Sequence, residues 1–93
     1  MGKFGIEIKP VAKKDLEKHF KSGDKASIRK IEIILSELQE TPFSGTGQPE
    51  PLKYELSGYW SRRINKRDRM IYSVLENVAI VTIFSAIGHY EDN

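Results

Sequence analysis

The apolar residues of this chain change their period twice, and that order of periods leaves few folds open. Phe4, Ile6 and Ile8 alternate with small or polar residues until Pro10 stops the run, the pattern of a strand with one buried face. From Val11 the spacing becomes helical. Val11, Leu16, His19 and Phe20 fall near one side, and Gly23 ends the segment. Asp24 or Ser27 can cap a second helix. Along it Ile28, Ile31, Leu35 and Leu38 recur at three- and four-residue spacing, Ile33 and Ile34 widen the stripe, and Glu and Lys lie opposite. Thr41-Pro42 closes that helix. Residues 42–51 hold three prolines and two glycines, so they form a constrained loop. Three strand-like stretches follow at residues 59–64, 69–75 and 78–85. Asn65 to Asp68 reads as a tight connection and Glu76-Asn77 as a hairpin turn. Strand, helix, helix and then antiparallel strands make an α+β layer with the helices on one face. The other sheet face is left open to bind something.

Ninety-three residues suffice for a single domain with one modest core, spanning residues 1–93. There is no cysteine, which excludes disulfides, a zinc ribbon and a thiol nucleophile. No apolar run of about 18 residues exists, and the N-terminus lacks a signal-peptide pattern. A cytoplasmic protein with no membrane partner is expected. The net charge is only +2, but its distribution is uneven. Residues 52–72 contribute six basic groups (Lys53, Arg62, Arg63, Lys66, Arg67, Arg69) against two acidic ones (Glu55, Asp68), and four of the five arginines fall between 62 and 69. Clustered arginine suits bidentate binding of phosphate or carboxylate. An acidic protein partner would explain it equally in chemical terms.

Strand alternation assigns faces within the cluster. Trp60, Arg62 and Ile64 share one side of residues 59–64, and the apolar pair marks it as the core side. Arg62 is then expected to emerge at an edge. Arg63 takes the open face, and Arg69 shares that face if the register holds.

Familiar chemistries can be set aside. Only His19 and His89 are available as imidazole ligands, and they lie far apart in sequence. His19 alone on an amphipathic helix reads as a packing or surface residue. Gly45-Thr46-Gly47, flanked by prolines, is not a phosphate-cradling loop between a strand and a helix. No serine sits in a nucleophile elbow. Neither metal nor cofactor is expected. Glu50, the arginines and His89-Tyr90 remain. RNA supplies its own nucleophile, the 2′-hydroxyl, so cleavage needs a base, a cation for the phosphorane charge and an acid for the departing 5′ oxygen. An ionised carboxylate can be that base, and imidazole titrates in the range suited to a proton donor. Arginine supplies the electrostatic stabilisation, and a tyrosine can stack on a base. Taken singly, Glu50 could be a loop carboxylate and His89-Tyr90 a chain end.

A longer pattern narrows this. Pro42-Phe43, Gly45, Gly47, Pro49-Glu50-Pro51-Leu52-Lys53, then Leu56-Ser57-Gly58-Tyr59-Trp60-Ser61-Arg62-Arg63-Ile64-Asn65, continues through Arg69-Met70-Ile71-Tyr72 to His89-Tyr90. It resembles the YoeB/Txe toxins of the RelE superfamily, from bacterial type II toxin–antitoxin systems. The resemblance is strongest over residues 40–90 and reaches the helical half by layout and length. It implies a sheet under two helices and cleavage of mRNA in the ribosomal A site. It also implies catalytic roles for Glu50 (base), Arg69 (phosphate clamp) and His89 (acid), and substrate-binding roles for Lys53, Arg63 and Tyr90. The implied partners are mRNA on the ribosome, a YefM-like antitoxin whose disordered segment folds onto the toxin, and a second copy in a homodimer. Three departures make the site less positive: Glu91-Asp92-Asn93 beyond the tyrosine, Ile87 where relatives often have a basic residue, and Asp68 where histidine is common. Two other readings keep the fold: a non-catalytic co-repressor or ribosome binder, and a metal-independent RNase for free RNA. The weak charge disfavours the last, because generic RNA affinity scales with phosphates neutralised.

Overall fold

A computed structural model describes residues 3–88. β1 (Gly5–Ile8) leads into α1 (Pro10–Ser22) and α2 (Lys25–Leu38), followed by β2 (Glu50–Pro51), β3 (Tyr59–Arg63), β4 (Arg69–Leu75) and β5 (Ile80–Ser85). The five strands form one sheet in the order β1-β5-β4-β3-β2. Neighbours are antiparallel except β1, which runs parallel to β5. The fold is therefore α+β as expected, with a mixed sheet.

Local chemistry explains the helices. Pro10 opens α1, where its missing N–H costs nothing, and Gly23 ends it in the left-handed region at φ 79°. Asp24 caps α2: Oδ1 accepts from the Ser27 amide at 3.2 Å and Oδ2 from the Ser27 hydroxyl at 2.8 Å. The buried stripes are Ala12, Leu16 and His19 on α1, and Ser27, Ile31, Ile34 and Leu38 on α2. The expected α1 stripe was rotated. Val11 and Phe20 are exposed, because Ala12 allows close approach to the sheet and sets the helix phase. The helical stripes meet Met70, Tyr72, Val81 and Ile83 from one sheet face, with Ile6, Ile8, Trp60 and Val74 packed around them.

Two further expectations need correction. Residues 42–51 are not all loop, since Glu50 and Pro51 pair with Ser61 and Trp60 as an edge strand. Pro51 fits there because an edge position need not donate to a ladder. The β4–β5 connection spans four residues rather than two, with Leu75 opposite Ile80. The Asn65–Asp68 connection is tight as expected: the Asn65 side-chain oxygen accepts from the amides of Arg67 and Asp68, both at 2.8 Å. Among the described residues no helix is long and apolar enough to cross a membrane.

Candidate active site

The loop that delivers Glu50 is anchored by Arg62. This side chain does not emerge at an edge. It is 0% exposed, and all five of its N–H donors are used. Nε donates to the Tyr72 hydroxyl (3.1 Å), Nη1 to Glu37 Oε1 (2.8 Å) and the Thr46 carbonyl (3.3 Å), and Nη2 to the carbonyls of Thr41 (2.9 Å) and Ser44 (2.8 Å). Glu37 also accepts from the Thr46 amide and hydroxyl at 2.7 and 2.8 Å. The Tyr72 hydroxyl donates onward to the Pro42 carbonyl at 2.9 Å. Burial raises the Tyr72 phenol above its ordinary range, against the opposing pull of Arg62, so it remains a donor. Core parity in β3 was legible, but the acceptors around Arg62 come from a loop with no periodicity.

Gly47 completes the anchor. At φ 87°, its carbonyl accepts from the Arg63 amide at 2.7 Å, and an added Cβ would lie 2.8 Å from the Arg63 carbonyl oxygen. Gly47→Ala should destabilise the protein by about 2 kcal/mol or more, combining left-handed strain with a backbone clash. A urea midpoint matching the unsubstituted protein would contradict this close approach.

Beyond the loop, register gathers the candidate residues on the open face. Glu50 pairs with Ser61, and Arg63 pairs directly with Arg69. Arg69 Nη1 lies 3.2 Å from Glu50 Oε1, with the Arg69 side chain 26% and the Glu50 side chain 60% exposed. An ion pair this exposed contributes only about 0–1 kcal/mol, so an arriving phosphate can take the guanidinium without large cost. Arg63 is exposed beside it, as alternation indicated, and Lys53 is exposed just before a 3-10 turn at Tyr54–Leu56. Neither makes an ion pair with another described residue. His89, Tyr90 and the tail Glu91-Asp92-Asn93 lie outside the described residues. The last described residue, Gly88, lies beside Arg69, whose amide donates to the Gly88 carbonyl at 2.8 Å.

Three features escaped the sequence reading. Ser61 Oγ is buried without a hydrogen-bond partner among the described residues, on the residue opposite Glu50. Tyr59 and Phe84 make an edge-on aromatic contact at 5.1 Å. Phe84 is the extra residue where Ile71 pairs with Ser85 but Tyr72 with Ile83, a bulge that alternation cannot foresee. Asp68, expected to make the site less positive, also turns its carboxylate to the Gly88 amide at 2.9 Å and is 8% exposed. Ile87 lines a cavity of about 460 Å³ with Lys18, Arg67 and others, to which neither Glu50 nor Arg69 contributes. Among the described residues no group of three or more His, Cys, Asp or Glu side chains could hold a metal ion.

Known proteins are similar to this chain in sequence and in fold. A family model described as the YoeB-like toxin of bacterial type II toxin–antitoxin systems matches residues 9–90. Toxin YoeB of Synechocystis is 40% identical over 72 residues, covering 77% of this chain and 81% of that protein. A YoeB/ParE toxin from Agrobacterium tumefaciens superposes with a TM-score of 0.83 at 31% identity, covering 94% of this chain and 100% of that one. Staphylococcus aureus YoeB is 36% identical both as a dimer (TM-score 0.78, covering 95% and 99% of the two chains) and in a YoeB–YefM complex (TM-score 0.75, covering 94% and 98%). This chain belongs to the YoeB-like toxins of bacterial type II toxin–antitoxin systems.

Proposed function

We propose that this toxin is a metal-independent endoribonuclease that cuts mRNA in the ribosomal A site, with the RNA 2′-hydroxyl as nucleophile. The observation that carries this reading is the Glu50–Arg69 pair at 3.2 Å on the open face. Glu50 takes the 2′-hydroxyl proton as that oxygen attacks the adjacent phosphorus. Arg69, released from Glu50, grips the non-bridging oxygens as their charge grows. His89 donates a proton to the leaving 5′ oxygen, and Lys53, Arg63 and Tyr90 hold the flanking nucleotides. The ribosome presents the mRNA in a fixed orientation, replacing affinity that a protein of net charge +2 lacks. Work at this site belongs in the cytoplasm. A YefM-like antitoxin is the partner that silences it, and a second copy of the chain is a further partner; the S. aureus YoeB–YefM complex and YoeB dimer support these two assignments by analogy.

Inducing the chain alone should arrest growth, and co-expression of its cognate antitoxin should restore it. In a translating extract, primer extension should reveal new mRNA 5′ ends that vanish when initiation is blocked. Cleavage that persists on free RNA would favour a ribosome-independent nuclease. Folded protein that binds antitoxin but cuts neither substrate would favour a co-repressor or ribosome binder.

A further inference from the structure

The backbone immediately before His89 is gripped by side chains from two distant parts of the chain. The Ala86 amide donates to Asp15 Oδ2 at 2.9 Å, and the Ala86 carbonyl lies 2.7 Å from His19 Nε2. Asp15 and His19 are one helical turn apart on α1, so both reach the same residue. The Gly88 amide donates to Asp68 Oδ1 at 2.9 Å, and its carbonyl accepts from the amide of the next residue, Arg69. Every backbone polar group of Ala86 and Gly88 is therefore engaged outside its own segment.

Asp68 is itself held. Its second oxygen accepts from Asn65 Nδ2 at 3.1 Å, and that nitrogen also donates to Ser27 Oγ on α2 at 2.9 Å. His19 Nε2 approaches the same oxygen at 4.0 Å, and His19, Asp68 and Ala86 are all buried. Burial is the largest single influence on the Asp68 carboxyl and pushes it up. Hydrogen bonds from Gly88 and Asn65, with the charge of Arg67 nearby, outweigh it and keep the group below its ordinary range. Asp68 thus stays an anion that accepts strongly. Asp68 and Arg69, adjacent in sequence, clamp the two sides of Gly88, and Arg69 also reaches Glu50.

We propose that Asp68, supported by Asp15 and His19, is a positioning residue that fixes residues 86–88, the segment preceding His89 in the chain, beside Arg69 of the Glu50–Arg69 pair. This rests on the nuclease reading for its catalytic meaning. It adds a geometric role for the acid at this position to the charge effect expected of it.

The test compares Asp68→Ala and Asp68→Asn with Ile34→Val, a core substitution in α2 that lowers stability without removing any of these hydrogen bonds. Single-turnover mRNA cleavage would be measured against ribosome concentration. NMR would follow exchange of the Gly88 amide and the His89 ring signals, assigned against His89→Gln. Asp68→Ala should cut the saturating rate by about 10- to 100-fold, as expected for a misplaced catalytic group. The half-saturating ribosome concentration should stay within about twofold, and Gly88 exchange should accelerate by about tenfold or more. Asp68→Asn keeps one acceptor and should recover part of the rate. Ile34→Val should retain the full rate. A Gly88 amide that exchanges at the unsubstituted rate in Asp68→Ala, or a cleavage rate no lower than that of Ile34→Val, overturns the proposal. If the unsubstituted protein cuts nothing, the nuclease reading fails, and the exchange and ring signals alone then decide whether Asp68 positions the segment.

Discussion

Replacing Arg62 with methionine should destabilise the fold by about 3–5 kcal/mol, the usual consequence of removing one partner from a buried ion pair. Methionine fills similar space but has no donor. The Glu37 carboxylate and the carbonyls of Thr41, Ser44 and Thr46 would all lose the guanidinium. Each orphaned group would cost about 1–3 kcal/mol if sealed from water. Thr41 and Ser44 are exposed residues, so water recovers part of that sum. Lysine should fall between, because a single ammonium cannot span five acceptors on different sides. The difference should also depend on pH. The Glu37 carboxyl is held below its ordinary 4.5: burial, the largest influence, pushes it up, but the Thr46 bonds and the Arg62 charge together win. A carboxyl lowered in the folded state stabilises fully above its unfolded value, and that contribution is lost as pH falls through the lower folded one. With Arg62 gone, less remains to lose. The gap between the two proteins should therefore be widest at neutral pH and narrow in acid below 4.5. Unfolding free energies from urea titration within about 0.5 kcal/mol of each other at pH 7 would remove Arg62 from its role as anchor.

Glu50→Gln should lower ribosome-dependent mRNA cleavage by about 10²–10⁴-fold, the range expected for loss of a general base. The substitution keeps size and one oxygen for Arg69, and removes the ability to accept and hold a proton. Stability should barely change, since the Glu50 side chain is 60% exposed and its ion pair is superficial. His89→Gln should reduce cleavage over the same range. Combining the two should cost less than the product of the single losses, because both serve one transfer of charge. Full activity in Glu50→Gln, measured by primer extension, would leave the 2′-hydroxyl proton with another acceptor.

The elements with their own periodicity were the ones a reader of the sequence could place. β1, β3, β4 and α2 announce themselves by alternation or by three- and four-residue spacing, and parity alone put Arg63 and Arg69 on one face. Failure came where a partner distant in sequence decides. β2 is two residues long with a proline inside it, and exists because β3 lies alongside. The phase of α1 follows Ala12 because a small residue permits contact, something hydrophobicity undervalues. Arg62 was assigned to the core face, but its burial is tolerated through Glu37 and three loop carbonyls that carry no pattern. Glu50 and Arg69 meet across 19 residues, and only the resemblance pointed to that pairing. The sequence shows the charge of Asp68 but not its bonds to the Gly88 amide and Asn65 Nδ2, which come from the folded arrangement.

The place of β5 between β1 and β4 has a consequence for how the molecule comes into being. Emerging from synthesis in order, β1 has no neighbour until Ile80–Ser85 arrives, and Glu7 meets Thr82 across a separation of 75 residues. Such distant pairings close slowly, because loop entropy is spent before contacts repay it. Until β5 inserts, the apolar sides of β1, α1 and α2 have no complete sheet to rest on. The strand that completes the core leads directly into the segment ending at Gly88 beside Arg69. A chain interrupted before residue 80 would thus lack both a finished interior and the proton donor of the proposed mechanism, so completing the fold and completing the proposed site would coincide.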